Sequence, residues 1–354
     1  MGKAGRAADG KDLPCRSPNP VREPPDLGDD AIVGALEAGF GTRVAALAFL
    51  PVGNDADSWA YRVEEAGGPS RFLKVRAGAD AMPGAAVPAH LQRHGVAEVL
   101  APLPTRGGAP YLVVDRFALA LYPMLDASPG AEVGLAPDQW RRLGATVARV
   151  HALAPTPELT RLVGRETFRP SRGELLPRLE AVVARPDRDD PVAGELAAFW
   201  RARRHVIDAL VERADRLGRR AARSPSRPVL CHADLHTWNV LVGVDRRLWI
   251  VDWDEAVLAP RERDLMFVVG GIGHGLVGPA DTERFFQGYG QTSVDPDLLA
   301  YYRCAWAVQD VAAYGEQALL TPDVGHETRH AAVAGFKDLF EPGNIVGLAL
   351  EASG

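Results

Sequence analysis

Residues 231–255 read CHADLHTWNVLVGVDRRLWIVDWDE, with two histidines, four aspartates and an asparagine set among aliphatic and aromatic residues. Carboxylates beside apolar strands are costly unless something positive sits among them. NVLVG and LWIVD have strand character and VDRR reads as a turn, so the stretch is a loop followed by a β-hairpin. Asn239 enters the first strand and Asp252 ends the second. Both therefore sit at one end of the hairpin, beside the loop that carries Asp234. An all-oxygen set with few protein ligands suits Mg²⁺, which keeps waters and takes phosphate oxygens for its remaining positions.

Around the hairpin the composition is that of an ordinary globular chain. Its 354 residues allow a large core, in a two-lobed enzyme or two packed domains. A net charge of −6 argues against a general nucleic-acid binder and suits a small cationic substrate. Cys15, Cys231 and Cys304 are too few and too scattered for a disulfide framework, which points to a reducing compartment. The N-terminal MGKAGRAADGKDLPCRSPNP lacks the apolar core of a signal peptide, and Arg6 stands where a myristoylation signal needs Ser or Thr. The longest apolar run, LMFVVGGIGHGLVG, is short, Gly-rich and broken by His274. The expectation is a cytoplasmic protein with no membrane span and no obligate protein partner.

Residues 1–26 carry five prolines and no apolar periodicity, and read as a disordered tail. DDAIVGALEAGFG reads as a helix with Asp29 or Asp30 as its N-cap. VAALAFL, SWAYRV and RFLKV read as strands, and PYLVVDRF and ALALYP continue the β texture after a helix near 86–94. Past residue 125 the chain turns helical, near 137–153, 172–184, 192–219, 281–289, 297–319 and 326–340. The one β interruption is this stretch with the PVL just before it: PVL as a strand, the loop, then the hairpin. The sequence therefore predicts an α+β, two-lobed fold: a small β-rich N-lobe over 27–121 and a larger, mainly helical C-lobe over 122–354, with the functional cleft between them.

An Asp five residues before an Asn is how a kinase catalytic loop places its base and a metal ligand. HADLHTWN followed by VDWD resembles the H-x-D-x-x-x-x-N and (I/V)-D-x-x motifs of aminoglycoside phosphotransferases and their choline-kinase-like relatives. FLPVGNDADSWAYRV is similar to their nucleotide-positioning loop, RFLKV to the strand with the ATP-contacting lysine, and LYPML to the interlobe linker. LAPRERDL is similar to the segment whose Asp braces the catalytic loop. These matches run in the family's order over roughly 50–270, and the wording APLPT, LYPML and VDWDEAVLAPRERDLMFV is closest to the spectinomycin phosphotransferases.

The resemblance implies a protein-kinase-like fold and an ATP-dependent O-phosphotransferase, with GTP the alternative donor. Asp234 would orient or deprotonate the substrate hydroxyl, and Asn239 and Asp252 would hold Mg²⁺ on the phosphates. Lys74 would pair with the α- and β-phosphates, amides near Asp57 and Ser58 would cover them, and Tyr122 and Met124 of the linker would contact the nucleotide. His232 and Asp264 would support the loop.

Departures from the family pattern are as specific. No Glu lies between Lys74 and Glu98 to anchor the lysine from the next helix; Met82 stands near the expected place, and Asp80 is a nearby acid. PVGNDADSW has one glycine, short of G-x-G-x-x-G, and Ala233 stands where Gly is more usual. Taken singly, Asp234, Asn239 and Asp252 read as turn residues and Lys74 as solvent-facing; their conjunction carries the weight. Cys231, His232 and His236 invite a zinc reading, but no Glu follows His232 as in H-E-x-x-H. Asp254 and Glu255 suit a cationic substrate, a second metal or a solvated pair. YYRCAWAVQDVAAYGEQAL groups Trp306, Gln309 and Asp310 on a helix, a face fit for an amino sugar or for the polar edge of a core helix. His151 reads as helix interior.

The functional expectation is MgATP-dependent phosphorylation of a small-molecule hydroxyl, first of an aminoglycoside or aminocyclitol antibiotic of spectinomycin type, conferring resistance. The alternatives are a metabolic kinase for choline, homoserine or a sugar, and, because the helix Glu is missing, a non-catalytic nucleotide-binding pseudokinase.

Overall fold

The computed structural model describes residues 24–51, 57–78, 82–187, 189–273, 275–321 and 325–351. Most of the expected tail, residues 52–56 of the nucleotide loop, Asp80 and His274 lie outside the described residues. Strands β1 (Val44–Leu50), β2 (Ser58–Glu65), β3 (Arg71–Ala77), β4 (Leu112–Val114) and β5 (Phe117–Pro123) form one antiparallel sheet in the order β1-β2-β3-β5-β4. Alternation along β3 sets its two faces. Leu73 and Val75 are fully buried, while Lys74 between them turns to the opposite face, paired with Ala60 on β2 and Ala120 on β5. The Leu73 face packs with Tyr61, Val63, Leu119 and Leu121 against Ile32 and Leu36 of helix α1 (Asp29–Gly39). The N-cap of α1 is Gly28, not Asp29 or Asp30; both aspartates fall in the first turn, where negative charge complements the helix N-terminus.

The other face of the sheet carries Ala118, Ala120 and Tyr122, which pack against Met82 and Ala85 at the start of helix α2 (Pro83–Arg93). Small residues opposite Lys74 and Arg76 thus keep a floor open beneath α2.

Beyond β5 the chain becomes helical, and Pro137–Ala152, Pro191–Ala221 and Pro296–Leu319 carry most of a single large core around Trp140, Leu196, Trp200 and Val308. Two of these helices open on aspartate caps. Asp190 accepts from the amides of Val192 and Ala193 at 3.0 and 3.1 Å, and Asp295 from those of Asp297 and Leu298 at 2.9 and 3.3 Å. Helix Pro137–Ala152 meets Pro279–Tyr289 backbone to backbone. A Cβ at Gly144 would stand 2.0 Å from the Phe285 carbonyl oxygen, and one at Gly288 1.8 Å from that of Arg141. This contact sets His151 against Tyr289.

The expected hairpin is present, and the β content around it exceeds the expectation. Strand β6 (Ala127–Pro129) adds to a hairpin of β9 (Val240–Gly243) and β10 (Leu248–Ile250), in which Ile250 faces Val240 and Leu248 faces Val242. Strands β7 (Gly164–Arg165), β8 (Val229–Cys231) and β11 (Val257–Ala259) form a second small sheet. Two- and three-residue strands leave little period to detect, so besides the hairpin the sequence showed only PVL, which falls on β8, and β6, β7 and β11 were missed. Residues 232–239 are consequently strung between two small sheets and pinned at both ends. Helices Pro157–Leu162 and Ile345–Glu351 also escaped the sequence reading for want of length.

Candidate active site

The loop leaving β8 is shaped by one buried carboxylate. Asp264 accepts the His232 amide on Oδ2 at 3.0 Å and the Ala233 amide on Oδ1 at 2.7 Å. Its Oδ2 also lies 2.9 Å from Nε2 of His151, whose Nδ1 is 2.8 Å from the Tyr289 hydroxyl. Burial pushes the Asp264 carboxyl up, but the His151 hydrogen bond and charge and the loop amides outweigh it and hold it below the usual carboxylate range. Ala233 sits at φ 69°, a left-handed conformation that costs an L-residue roughly 1–2 kcal/mol. The two amide bonds to Asp264 offset that strain, so alanine is tolerated where glycine is the expected residue.

His232 ties this loop to the end of β10. Its Nε2 is 2.8 Å from the Val251 carbonyl oxygen, while its Nδ1 accepts the Asp234 amide at 3.2 Å, which requires the Nε2–H tautomer. The two histidines of the zinc reading are thereby occupied: His232 on backbone, and His236 on Asp234, with Nε2 3.1 Å from Oδ1. The buried Cys231 thiol points at the carbonyls of Ala259 and Pro260.

Asn239 closes the loop. Its Nδ2 donates to the Asp234 carbonyl at 2.8 Å and to Asp234 Oδ2 at 2.9 Å, which leaves its side-chain oxygen for a cation. The Val251 amide donates to the Asn239 carbonyl at 3.0 Å, bringing the chain before Asp252 beside Asn239. Asp252 adopts φ 63° and lies 3.0 Å from the Lys74 ammonium; Lys74 also pairs with Asp254. Burial opposes charge on Lys74, yet the two aspartates hold its pKa above the ordinary value. Burial would likewise raise Asp252, and Lys74 outweighs it, keeping this carboxyl well below its usual range. Asp254 is pushed up by burial and by Asp252.

A cleft of about 350 Å³ lies under the sheet, lined by Ser58, Lys74, Tyr122, Met124, Asn239 and Asp252 among others. Asp57, at the exposed turn before β2, does not line it; its carbonyl accepts the Ala77 amide at 2.8 Å. A second cavity of about 470 Å³ is lined by Glu166, Arg172, Glu255, Arg263, Tyr302 and Gln309, and Asp254 borders both spaces. Trp306 and Asp310 are not in the lining of this cavity. The indole packs edge-on against Phe267 and under the Arg263 guanidinium, as a core residue would. Asp310 lies near Asp234: burial and that neighbouring charge push its carboxyl up to about 7. Glu255 is likewise raised, by burial first and with Asp234 contributing against Arg263.

Three site residues were not given their place by sequence reasoning. His236 was weighed only as a zinc ligand, His151 only as helix interior, and Asp254 had no link to Lys74. Lone histidines on helices and loops carry no signal until the fold brings in their partners. Oxygen ligands and an ammonium line one cleft, and Asn239 ties to them the Asp234 carboxylate, which is not itself in the lining; together they have the chemistry to bind a metal-chelated polyphosphate and activate a hydroxyl.

Comparison with known proteins agrees with this chemistry. The model of the phosphotransferase enzyme family matches residues 48–303. Protein StrN of Streptomyces griseus is 31% identical over 276 residues, covering 76% of this chain and 78% of StrN. The crystal structure of the spectinomycin phosphotransferase APH(9)-Ia with ADP and spectinomycin superposes with a TM-score of 0.82 at 28% identity, covering 93% of this chain and 99% of that one. The macrolide 2'-phosphotransferase MphH of Brachybacterium faecium shares the fold, with a TM-score of 0.53 at 22% identity, covering 88% of this chain and 99% of that one.

Proposed function

This chain belongs to the phosphotransferase enzyme family, and from that premise we propose that it transfers the γ-phosphoryl group of ATP to a hydroxyl of a cationic aminocyclitol or aminoglycoside, with spectinomycin the first candidate. The observation that carries the reading is the pairing of Asp234 with Asn239 at the hairpin end where Asp252 meets Lys74. The likeness to a spectinomycin phosphotransferase solved with ADP and spectinomycin supports both the donor and the acceptor class.

Each residue has a role its surroundings permit. Asp234 orients the acceptor hydroxyl and takes its proton. His236 lies 3.1 Å from that carboxylate: burial opposes charge on the imidazole, and Asp234 outweighs it, holding the His236 pKa above the ordinary value. The Asn239 side-chain oxygen and Asp252 would hold Mg²⁺, which when bound neutralises phosphate charge. Lys74 would neutralise more of it; Ser58, Tyr122 and Met124 line the same cleft, where Ser58 would face the phosphates and the other two the rest of the nucleotide. Little covalent chemistry is asked of the protein, since phosphoryl transfer needs in-line placement and charge compensation. A cationic acceptor fits because Glu166 and Glu255 line the second cavity and Asp234 acts on Glu255 as a like charge, which a bound amine would relieve.

The test is transfer of label from γ-³²P-ATP to spectinomycin, a panel of aminoglycosides, and choline, homoserine and simple sugars, in magnesium. Labelled spectinomycin or aminoglycoside, with raised resistance of a host expressing the protein, supports the reading. Labelling confined to choline, homoserine or a sugar would make it a metabolic kinase. Nucleotide binding with no labelled product would make it a pseudokinase.

A further inference from the structure

Helix α2 contains no carboxylate at all: its sequence is PGAAVPAHLQR. Lys74 is nevertheless not left to solvent. Its ammonium pairs with Asp254, which also accepts Arg76 at 3.3 Å, two residues along the same face of β3. Asp254 reaches this position because α2 yields at one point. A Cβ at Gly84 would stand 2.0 Å from Asp254 Oδ1, so any larger residue there would collide with the carboxylate. The Gly84 turn is itself fixed, its carbonyl accepting the Tyr122 hydroxyl at 3.2 Å. The side chain of Asp254 is nearly buried, whereas that of Asp252, the other partner of Lys74, is 47% exposed to the cleft.

We propose that Asp254 is the positioning residue of Lys74, supplying from the loop after β10 the anchor that α2 lacks, and that Gly84 is the space that admits it. The two aspartates then divide their duties. Asp252 is free to leave the lysine for the metal when nucleotide enters, and Asp254 keeps the ammonium aimed at the phosphates. This rests on the phosphotransferase reading for the use of Lys74, and the assay separates the two.

The experiment measures MgADP affinity by calorimetry and ATP turnover by ADP release, in the full chain and in Asp254→Ala, Asp254→Asn, Gly84→Glu and Gly84→Glu/Asp254→Ala. Removal of the Asp254 charge should cost roughly 10- to 100-fold in kcat/KM for ATP, the range of a lost charge-assisted hydrogen bond. Asn, which keeps the shape, should lose as much as Ala. Gly84→Glu alone should be impaired by collision. The double variant should recover activity over Asp254→Ala, because a helix-borne glutamate now has both the space and the lysine.

Wild-type ATP turnover with undiminished activity in Asp254→Asn overturns the proposal. So does a folded double variant no better than Asp254→Ala, or a loss in Asp254→Ala that excess magnesium restores, which would mark Asp254 as a metal ligand. Failure of the wild-type chain to bind MgADP overturns instead the phosphotransferase reading beneath it.

Discussion

Asn239 donates its side-chain amide to Asp234 twice, at the main-chain carbonyl and at Oδ2, so the residue proposed to hold magnesium also fixes the residue proposed to receive the proton. Donor and acceptor ends of the reaction are thereby set in one rigid unit, consistent with chemistry that depends on alignment. Asp234→Asn should lower kcat by about 10²–10⁴, the usual contribution of a positioned general base, with MgADP affinity unchanged. Asn239→Ala should lower both kcat and MgADP affinity, since it removes a cation ligand and releases Asp234. Steady-state kinetics and calorimetry on the two variants check this; an Asp234→Asn enzyme with a near-normal rate would remove the assigned role.

Asp252 and Lys74 form an ion pair at 3.0 Å in a cleft open to solvent on the aspartate side. Asp252→Ala should leave ADP binding almost independent of magnesium, whereas the wild-type chain should bind more tightly as magnesium is added. Titration of ADP with magnesium and with EDTA reads the difference. Equal magnesium dependence in both proteins would assign the metal elsewhere.

How legible all this was in the sequence depends on range. Asn239 and Asp252 could be placed at one hairpin end because strand alternation is local, and pairing of Ile250 with Val240 agrees with that register. Lys74 could be set on its strand for the same reason, with Leu73 and Val75 buried on the opposite face. The Lys74–Asp254 pair spans 180 residues and depends on a missing side chain at Gly84, for which no local pattern exists. His151 was legible as helix interior and nothing more. Its meeting with Asp264 and Tyr289 depends on two glycines that let distant helices touch. Strands β6, β7 and β11, which complete the two small sheets beside the loop, were missed because they are too short to alternate.

Asp264 carries the loop, and its loss should be expensive. Asp264→Ala leaves two buried amides and a buried imidazole without their partner. At about 1–3 kcal/mol for each stranded group, the variant should lose about 3 kcal/mol or more in denaturant unfolding and lose turnover with it. Ala233→Gly should act in the opposite direction, because glycine adopts φ 69° without strain. Its gain, about 0.5–1 kcal/mol, is what remains after the greater chain entropy of unfolded glycine. A shift of the urea midpoint to higher concentration at unchanged slope checks it, and a destabilised glycine variant would mean that the left-handed turn is not a source of strain.

Asp310 offers a pH test. Burial and the Asp234 charge raise its carboxyl to about 7 in the folded chain, against about 3.9 when unfolded. Because the folded value is the higher, the native state holds this proton more strongly. The stabilisation is fully present below about pH 4 and is lost as pH rises towards and through 7. Asp310→Asn does not titrate, so its Tm relative to wild type should climb between pH 5 and pH 8. A constant difference across that range would mean that the carboxyl is not shifted. Asp310 does not line the cavity but lies near Asp234, so an ammonium bound at Asp234 would favour the ionised form of Asp310 and draw the value down again, and acceptor binding below pH 7 should release a proton. Calorimetry of spectinomycin binding in buffers of different ionisation enthalpy reads that release directly, and Asp310→Asn should abolish it. Release unchanged in the variant would place the cation away from Asp310.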